Sequence, residues 1–223
     1  MRPFYTEFGS GYIWGMPSVK IRPSFWEHDH GIPLSRDLAP ASLFDRFRDY
    51  LVFDLETKDL APRDNSIENL AKLGVSVCCA WDSRDSKMHT FFEDDLPKFV
   101  KMCSDRLLVG YNIRRFDLPV LTGYGLKLDG LEVFDIMDEV ERGLGRRFIK
   151  LEYVAQGTLN EGKSGSGLEA IEWYKQGRFK ELAEYCARDV EVTHKVFRHG
   201  LERKFLAVQF PEQPRKEFVT DWA

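Results

Sequence analysis

From residue 50 onward, unbroken apolar runs give way in turn to apolar residues at helical spacing. Tyr50-Leu-Val-Phe53 is a run of large apolar and aromatic side chains, as in a strand buried on both faces. Residues 73–81 (LGVSVCCAW) and 87–92 (KMHTFF) predict a second and a third strand. The short polar connection at 82–86 makes them a hairpin. Residues 57–68 form a polar loop. In 94–104, Leu96, Phe99, Val100 and Cys103 share one helical face, with Asp94 placed to cap. Residues 106–111 (RLLVGY) predict a fourth, buried strand, after which 112–117 open a helix through Leu121. Residues 131–134 make a short fifth strand that ends in Asp135. Helical spacing then dominates, over 135–142, 150–158, 168–175 and a long segment from 178 to 204. Residues 205–210 and 217–222 flank Pro211 and Pro214 as a small terminal hairpin. Strands early and helices later fit one α/β domain with a mixed sheet. The domain spans 49–204, and 205–223 add the hairpin to it.

The first 45 residues hold neither periodicity. Gly9, Gly11, Gly15, Pro17, Pro23, Pro33 and Pro40 interleave with Tyr12, Trp14, Phe25 and Trp26. Disordered tails are poor in Trp and Phe, so residues 1–48 are expected to form an irregular arm whose aromatics dock on the domain. Within it, residues 41–49 (ASLFDRFRD) make a short amphipathic helix or turn. Glu27-His-Asp-His30 holds metal-ligand types, but such a cluster arises readily by chance.

Composition narrows the classes. The chain has 223 residues, enough for one sizeable domain, and a net charge of −4. A nucleic-acid partner would therefore be held by a local basic patch or through metal ions rather than by a global field. The four cysteines, Cys78, Cys79, Cys103 and Cys186, form no C-x-x-C pair. Zinc is not indicated, and reduced cysteines in a cytoplasmic setting fit best. No apolar run reaches the length of a membrane span, and the N-terminus has no signal-peptide core.

Asp54 and Glu56 end the first strand. Residues two apart on a strand share a face, so the two acids stand side by side at the rim of a buried sheet. Close carboxylates repel, and burial raises the cost. A hard cation such as Mg2+ or Mn2+ between them would remove that cost. Equally, a D-x-E pair can simply mark the solvated end of a strand. Asp117 follows the fourth strand and can approach Asp54 if the two strands are neighbours, because sites in open α/β sheets form at the carboxyl ends of strands. Phe116 can pack beneath it. As a plain helix cap, Asp117 would have no such role. On the long helix, Tyr185 and Asp189 are i and i+4 and share a face. Leu182, Cys186 and Val190 form an adjacent apolar stripe toward the sheet, and Glu181 and Glu184 face solvent. An exposed Tyr and Asp on a helix are also common without function.

Taken together, Asp54-x-Glu56, Asn112-x-x-x-Phe-Asp117 and Tyr185-x-x-x-Asp189 resemble the three ordered motifs of the DEDD exonucleases, in their tyrosine-containing subtype. The resemblance covers roughly residues 50–200. The stretch from Gly110 to Pro119, the segment Gly162-Lys-Ser-Gly-Ser-Gly-Leu-Glu-Ala170 and the closing Thr-Asp-Trp222 look like the YprB-type branch. The resemblance implies a ribonuclease-H-like fold, with a mixed five-stranded sheet flanked by helices. It implies a metal-dependent 3′-to-5′ exonuclease acting on nucleic acid, single-stranded DNA in preference to RNA, through two Mg2+ or Mn2+ ions, the alternatives being a ribonuclease-H-like endonuclease or an RNA exonuclease. A helicase or another nucleic-acid-processing protein would be a partner. Asp54, Glu56 and Asp189 would hold one ion, Asp54 would bridge to the second with Asp117 in support, and Tyr185 would orient the attacking water. Asn112, Arg114, Arg115, Phe116 and Lys163 would meet the nucleic acid, with Arg146 and Arg147 as further phosphate contacts. Each of these cations can equally be an ordinary surface charge.

Residues 157–164 (GTLNEGKS) formally match the phosphate-binding loop G-x-x-x-x-G-K-S, which would indicate nucleotide binding. That loop needs a buried strand before it and a helix starting at its Lys-Ser. Here Leu151, Val154 and Ala155 before it stand at helical spacing, and Gly165 and Gly167 after it disfavour a helix start.

Overall fold

The computed structural model describes residues 47–162 and 167–222. The N-terminal arm up to residue 46, with Glu27-His28-Asp29-His30, lies outside the described residues, as do Lys163 and Ser164. Of residues 41–49, only Phe47, Arg48 and Asp49 are described, in a turn.

Five strands form one mixed sheet in the order β3-β2-β1-β4-β5. They are β1 (Tyr50–Thr57), β2 (Val75–Asp82), β3 (Lys87–Phe91), β4 (Leu107–Gly110) and β5 (Glu132–Asp135). β1 is the middle strand, antiparallel to β2 and parallel to β4. Its apolar run serves both faces. Tyr50 and Val52 pack with Val190 and Phe197 on one side, and Leu51, Phe53 and Leu55 with Phe99 and Leu121 on the other. Phe53 is fully buried, and truncating such a ring costs about 3–5 kcal/mol. β1 is therefore a rigid base for whatever stands at its end. Cys78 and Cys79 point to opposite faces, each into its own core.

Seven helices flank the sheet among the described residues: α1 (Ile67–Leu70), α2 (Leu96–Met102), α3 (Asp117–Thr122), α4 (Ile136–Leu144), α5 (Leu151–Leu159), α6 (Gly167–Lys175) and α7 (Phe179–Arg203). The mixed five-stranded sheet with flanking helices is the architecture expected from the sequence. α1 falls at the end of the segment expected to be loop. The helix expected at 94–104 is split, with a 3-10 turn over Glu93–Asp95 and then α2. Pro97 explains this, because it lacks an N–H and tolerates only the first helical turn. Asp94 thus sits inside the 3-10 turn and does not cap α2, whose N-cap is Asp95.

The terminal strands β6 (Phe205–Val208) and β7 (Lys216–Val219) form a separate antiparallel pair. β7 stops short of Trp222, which instead packs edge-on against Phe134 and stacks on Phe197. Gly157 lies within α5, and an added Cβ there would fall 2.5 Å from the Val208 backbone. This glycine lets a helix close onto β6. The segment matching the nucleotide-loop pattern therefore begins inside a helix, with no strand leading into it.

Candidate active site

β1 and β4 are parallel neighbours, so their carboxyl ends meet. Asp54 and Glu56 lie on the face of β1 covered by α7, and Cys186 on α7 donates to the Asp54 carbonyl at 3.4 Å. That contact sets Asp189, one turn further along the helix, over the end of the strand. Carboxylate oxygens of Asp54, Glu56 and Asp189 lie within 4.8 Å of one another. Asp117, the first residue of α3, is outside this group of three. It is buried, and its Oδ1 accepts from the Leu55 amide at 3.2 Å. A side chain beginning α3 is thus fastened to the strand between Asp54 and Glu56.

The electrostatics follow from this crowding. Burial raises the Asp54 pKa well above the usual carboxylate range, and repulsion from Asp117, Glu56 and Asp189 adds to it. Glu56 is pushed up to about 8 by burial and then by Asp189 and Asp117. Asp117 is pushed up to about 7 by burial, against the pull of two backbone hydrogen bonds. Among the described residues, no Lys or Arg pairs with Asp54, Glu56 or Asp117. The donors of this group are carboxylate oxygens, which suit a hard divalent cation.

Tyr185 lies beside these acids, its ring edge-on to Trp173 at 5.7 Å. Burial raises its pKa, followed by Asp189 and Glu56, and a hydrogen bond to Asp189 adds to the effect. In the metal-free site the phenol stays neutral, so it can donate and orient but not act as a base.

The structure gives the expected nucleic-acid residues more varied settings. Asn112 has φ 66°, and its amide donates to Asp135 Oδ1 at 2.8 Å. Arg114 donates to the Val133 carbonyl at 2.5 Å and pairs with Asp138 at 3.4 Å. Arg115 pairs with Asp138 and Glu141, both at 2.8 Å. Phe116 packs against the core beside Asp117. Arg146 lies over the Phe210 ring at 4.3 Å. Asp135, read from sequence only as a strand end, also accepts from the Arg114 amide at 2.9 Å and the Met137 amide at 3.0 Å. It caps α4 and ties down the turn that leads to Asp117. An Asp between a strand and an amphipathic run is a visible cap signal. The second grip, on the Asn112 and Arg114 amides, joins residues more than twenty apart and has no local signal.

Residues 51–200 match the RNase_H superfamily, and the chain belongs to that superfamily. Among solved structures, the fold is similar to the family B DNA polymerase from the hyperthermophilic archaeon Pyrobaculum calidifontis, at 18% identity and a TM-score of 0.54. The match covers 69% of this chain and 24% of the polymerase chain. A structure described as the apo form of the nuclease matches at 19% identity and a TM-score of 0.52, over 69% of this chain and 72% of that one. No curated protein is significantly similar in sequence. Among the described residues, no helix is long and apolar enough to cross a membrane.

Proposed function

We propose that the protein is a metal-dependent nuclease, and specifically a 3′-to-5′ exonuclease that hydrolyses single-stranded DNA with two Mg2+ or Mn2+ ions. One observation carries the reading: carboxylates from β1 and α7 converge within 4.8 Å, with no cation of the described chain paired to those on β1. Superfamily membership and the likeness to a polymerase and a nuclease support it.

When bound, the ions would neutralise phosphate charge and lower the pKa of water. The chain's part is to hold and aim. Asp54, Glu56 and Asp189 would ligate one ion, and Asp54 would reach the second, with Asp117 in support. The Leu55 amide keeps Asp117 directed at the strand. Tyr185 would donate to the water or the phosphate and fix its position. The edge-on Trp173 ring restricts where the Tyr185 ring can go. A helicase or similar enzyme that exposes single strands would be a fitting partner.

The test is an assay on 5′-end-labelled single-stranded DNA and RNA, with a circular single strand alongside, with and without Mn2+. The reading expects metal-dependent shortening from the 3′ end and an intact circle. Cleavage of the circle would make the enzyme an endonuclease, and no metal-dependent cleavage of any strand would overturn the reading.

A further inference from the structure

Beside Asp117 the surface opens into a groove of about 880 Å3. The β4–α3 turn forms one wall, through Asn112, Arg114, Arg115 and Phe116, and residues 147–151 form the other. Four cations line it, Arg114, Arg115, Arg147 and Lys150, and no Asp or Glu does. This reverses the chain's own balance, in which 36 acidic residues exceed 32 Lys and Arg. The four cations are not equivalent. Arg115 is neutralised by Asp138 and Glu141. Arg114 pairs with Asp138, and Lys150 with Glu152 at 3.7 Å. Arg147 is exposed, and among the described residues no carboxylate pairs with it; its guanidinium lies over the Phe148 ring at 5.1 Å.

Phe148 is the unusual member. It is 72% exposed, more than any other described phenylalanine; the next, Phe179 and Phe92, are 47% and 39% exposed. Its backbone has φ 57°, a region that bulky side chains rarely enter. The Phe148 amide donates to Glu141 Oε1 at 2.7 Å. An exposed ring held in a disfavoured backbone state, with the Arg147 guanidinium 5.1 Å and that of Arg115 6.0 Å from its centre, lies outside both hydrophobic cores. Local strain of this kind concentrates at ligand-binding positions.

We infer that this groove binds unpaired nucleic acid next to the reaction centre, with a base stacked on Phe148 and a backbone phosphate on Arg147. A flat aromatic face flanked by cations suits a single strand, whose bases offer free faces. A duplex hides those faces in its own stack. The inference rests on the proposed nuclease reading and adds to it the element that selects single strands.

The test uses the full-length protein in Ca2+ or EDTA, with fluorescence anisotropy of a labelled single-stranded oligonucleotide and of the matching duplex. Phe148→Ala should weaken single-strand binding about 5- to 150-fold, the range for one lost stack, and leave duplex binding nearly unchanged. Arg147→Gln should reduce the dependence of log affinity on log salt by about 0.7, the value for one phosphate contact to a single strand. Both sites are exposed, and melting temperatures confirm that the variants fold. Native affinity and native salt dependence in both variants would overturn the groove. Equal weakening for strand and duplex would overturn its selectivity. Hydrolysis of a nitrophenyl ester of thymidine monophosphate by the native protein with Mn2+ reports separately on the nuclease reading. If that ester is untouched while Phe148→Ala still weakens strand binding, the nuclease reading fails and the groove stands.

Discussion

At the start of β1, Asp82 and Asp49 face Arg106, and at its end Asp54, Glu56 and Asp189 face one another. Both clusters are built on the same buried sheet, about five residues apart along one strand. At the first, the Arg106 side chain is 2% exposed and pairs with both Asp82 and Asp49. Its Nη1 also donates to Asp82 Oδ2 at 3.3 Å, and its Nη2 to the Tyr50 carbonyl at 3.2 Å. Burial opposes ionisation of Asp82, yet the bonds from Arg106 and the Arg84 amide prevail and hold its pKa below the usual range. At the second cluster burial and repulsion act together, and every resolved carboxylate is raised. An arginine holds the buried Asp82 at one end of the strand, whereas among the described residues no Lys or Arg pairs with Asp54 or Glu56 at the other. Asp82, Asp85 and His89 also come close enough to suggest a metal group, but Arg106 neutralises Asp82 and His89 pairs with Asp85 at 2.9 Å. The difference separates a structural ion pair from a cluster of acids that could hold a cation.

Removing one charged group from each end should give opposite results. Asp54→Asn should lower cleavage at least 100- to 1,000-fold, the scale of one electrostatic catalytic group. The metal-free variant should be no less stable than the native protein, because a repulsive charge is gone. A loss of stability measured by urea titration would break the comparison. Tyr185→Phe keeps every carboxylate and loses one donor. Single-turnover cleavage should fall about 100- to 10,000-fold with Mn2+ affinity near native, whereas a native rate would remove Tyr185 from the mechanism.

At the other end, Arg106→Met leaves Asp82 buried without its partner. Breaking such a pair costs about 3–5 kcal/mol, read as a shift in the urea midpoint, and should leave the kinetic constants of the folded fraction unchanged. A loss under about 1 kcal/mol would make the pair an ordinary surface contact.

The pH dependence should divide the same way. In EDTA, Glu56 titrates near 8 and Asp117 near 7 in the folded protein, against about 4 in the unfolded chain. Between those values the native state holds protons that the unfolded state has lost, so raising pH favours unfolding. Stability should fall by about 1–2 kcal/mol from pH 5.5 to 8.5, less than the full shifts imply because solvent screens the partly open site. Asp82, with its lowered pKa, contributes stability that is lost only as pH drops below about 4. A flat profile in EDTA would mean that burial and crowding do not raise the pKa values of Glu56 and Asp117.

Much of this was legible in the sequence, for reasons of period. The apolar run of β1 and the two-residue spacing of Asp54 and Glu56 are local signals. So is the stripe of Leu182, Cys186 and Val190, which are buried as their spacing required. The approach of Asp117 followed from strand adjacency, and β1 and β4 are adjacent. What was not legible depends on pairs far apart in sequence. Arg114 and Arg115 read as free phosphate contacts until α4 brings Asp138 and Glu141 against them. Phe148 gave no signal, because its exposure and positive φ come from a loop whose amide is held by Glu141. Arg106 showed only as the first residue of a strand, with nothing to mark the two aspartates it joins.

The central claim is that the cluster of Asp54, Glu56, Asp117 and Asp189 is completed by a divalent cation. Its most direct test is the melting temperature of EDTA-treated protein, native and Asp54→Asn, across a titration of Mn2+. A ligand at a hundredfold its dissociation constant stabilises the folded state by about 2.7 kcal/mol. The native protein should therefore melt several degrees higher in millimolar Mn2+, and Asp54→Asn should respond weakly or not at all. A native melting temperature unmoved by millimolar Mn2+, or an equal rise in both proteins, would contradict the claim.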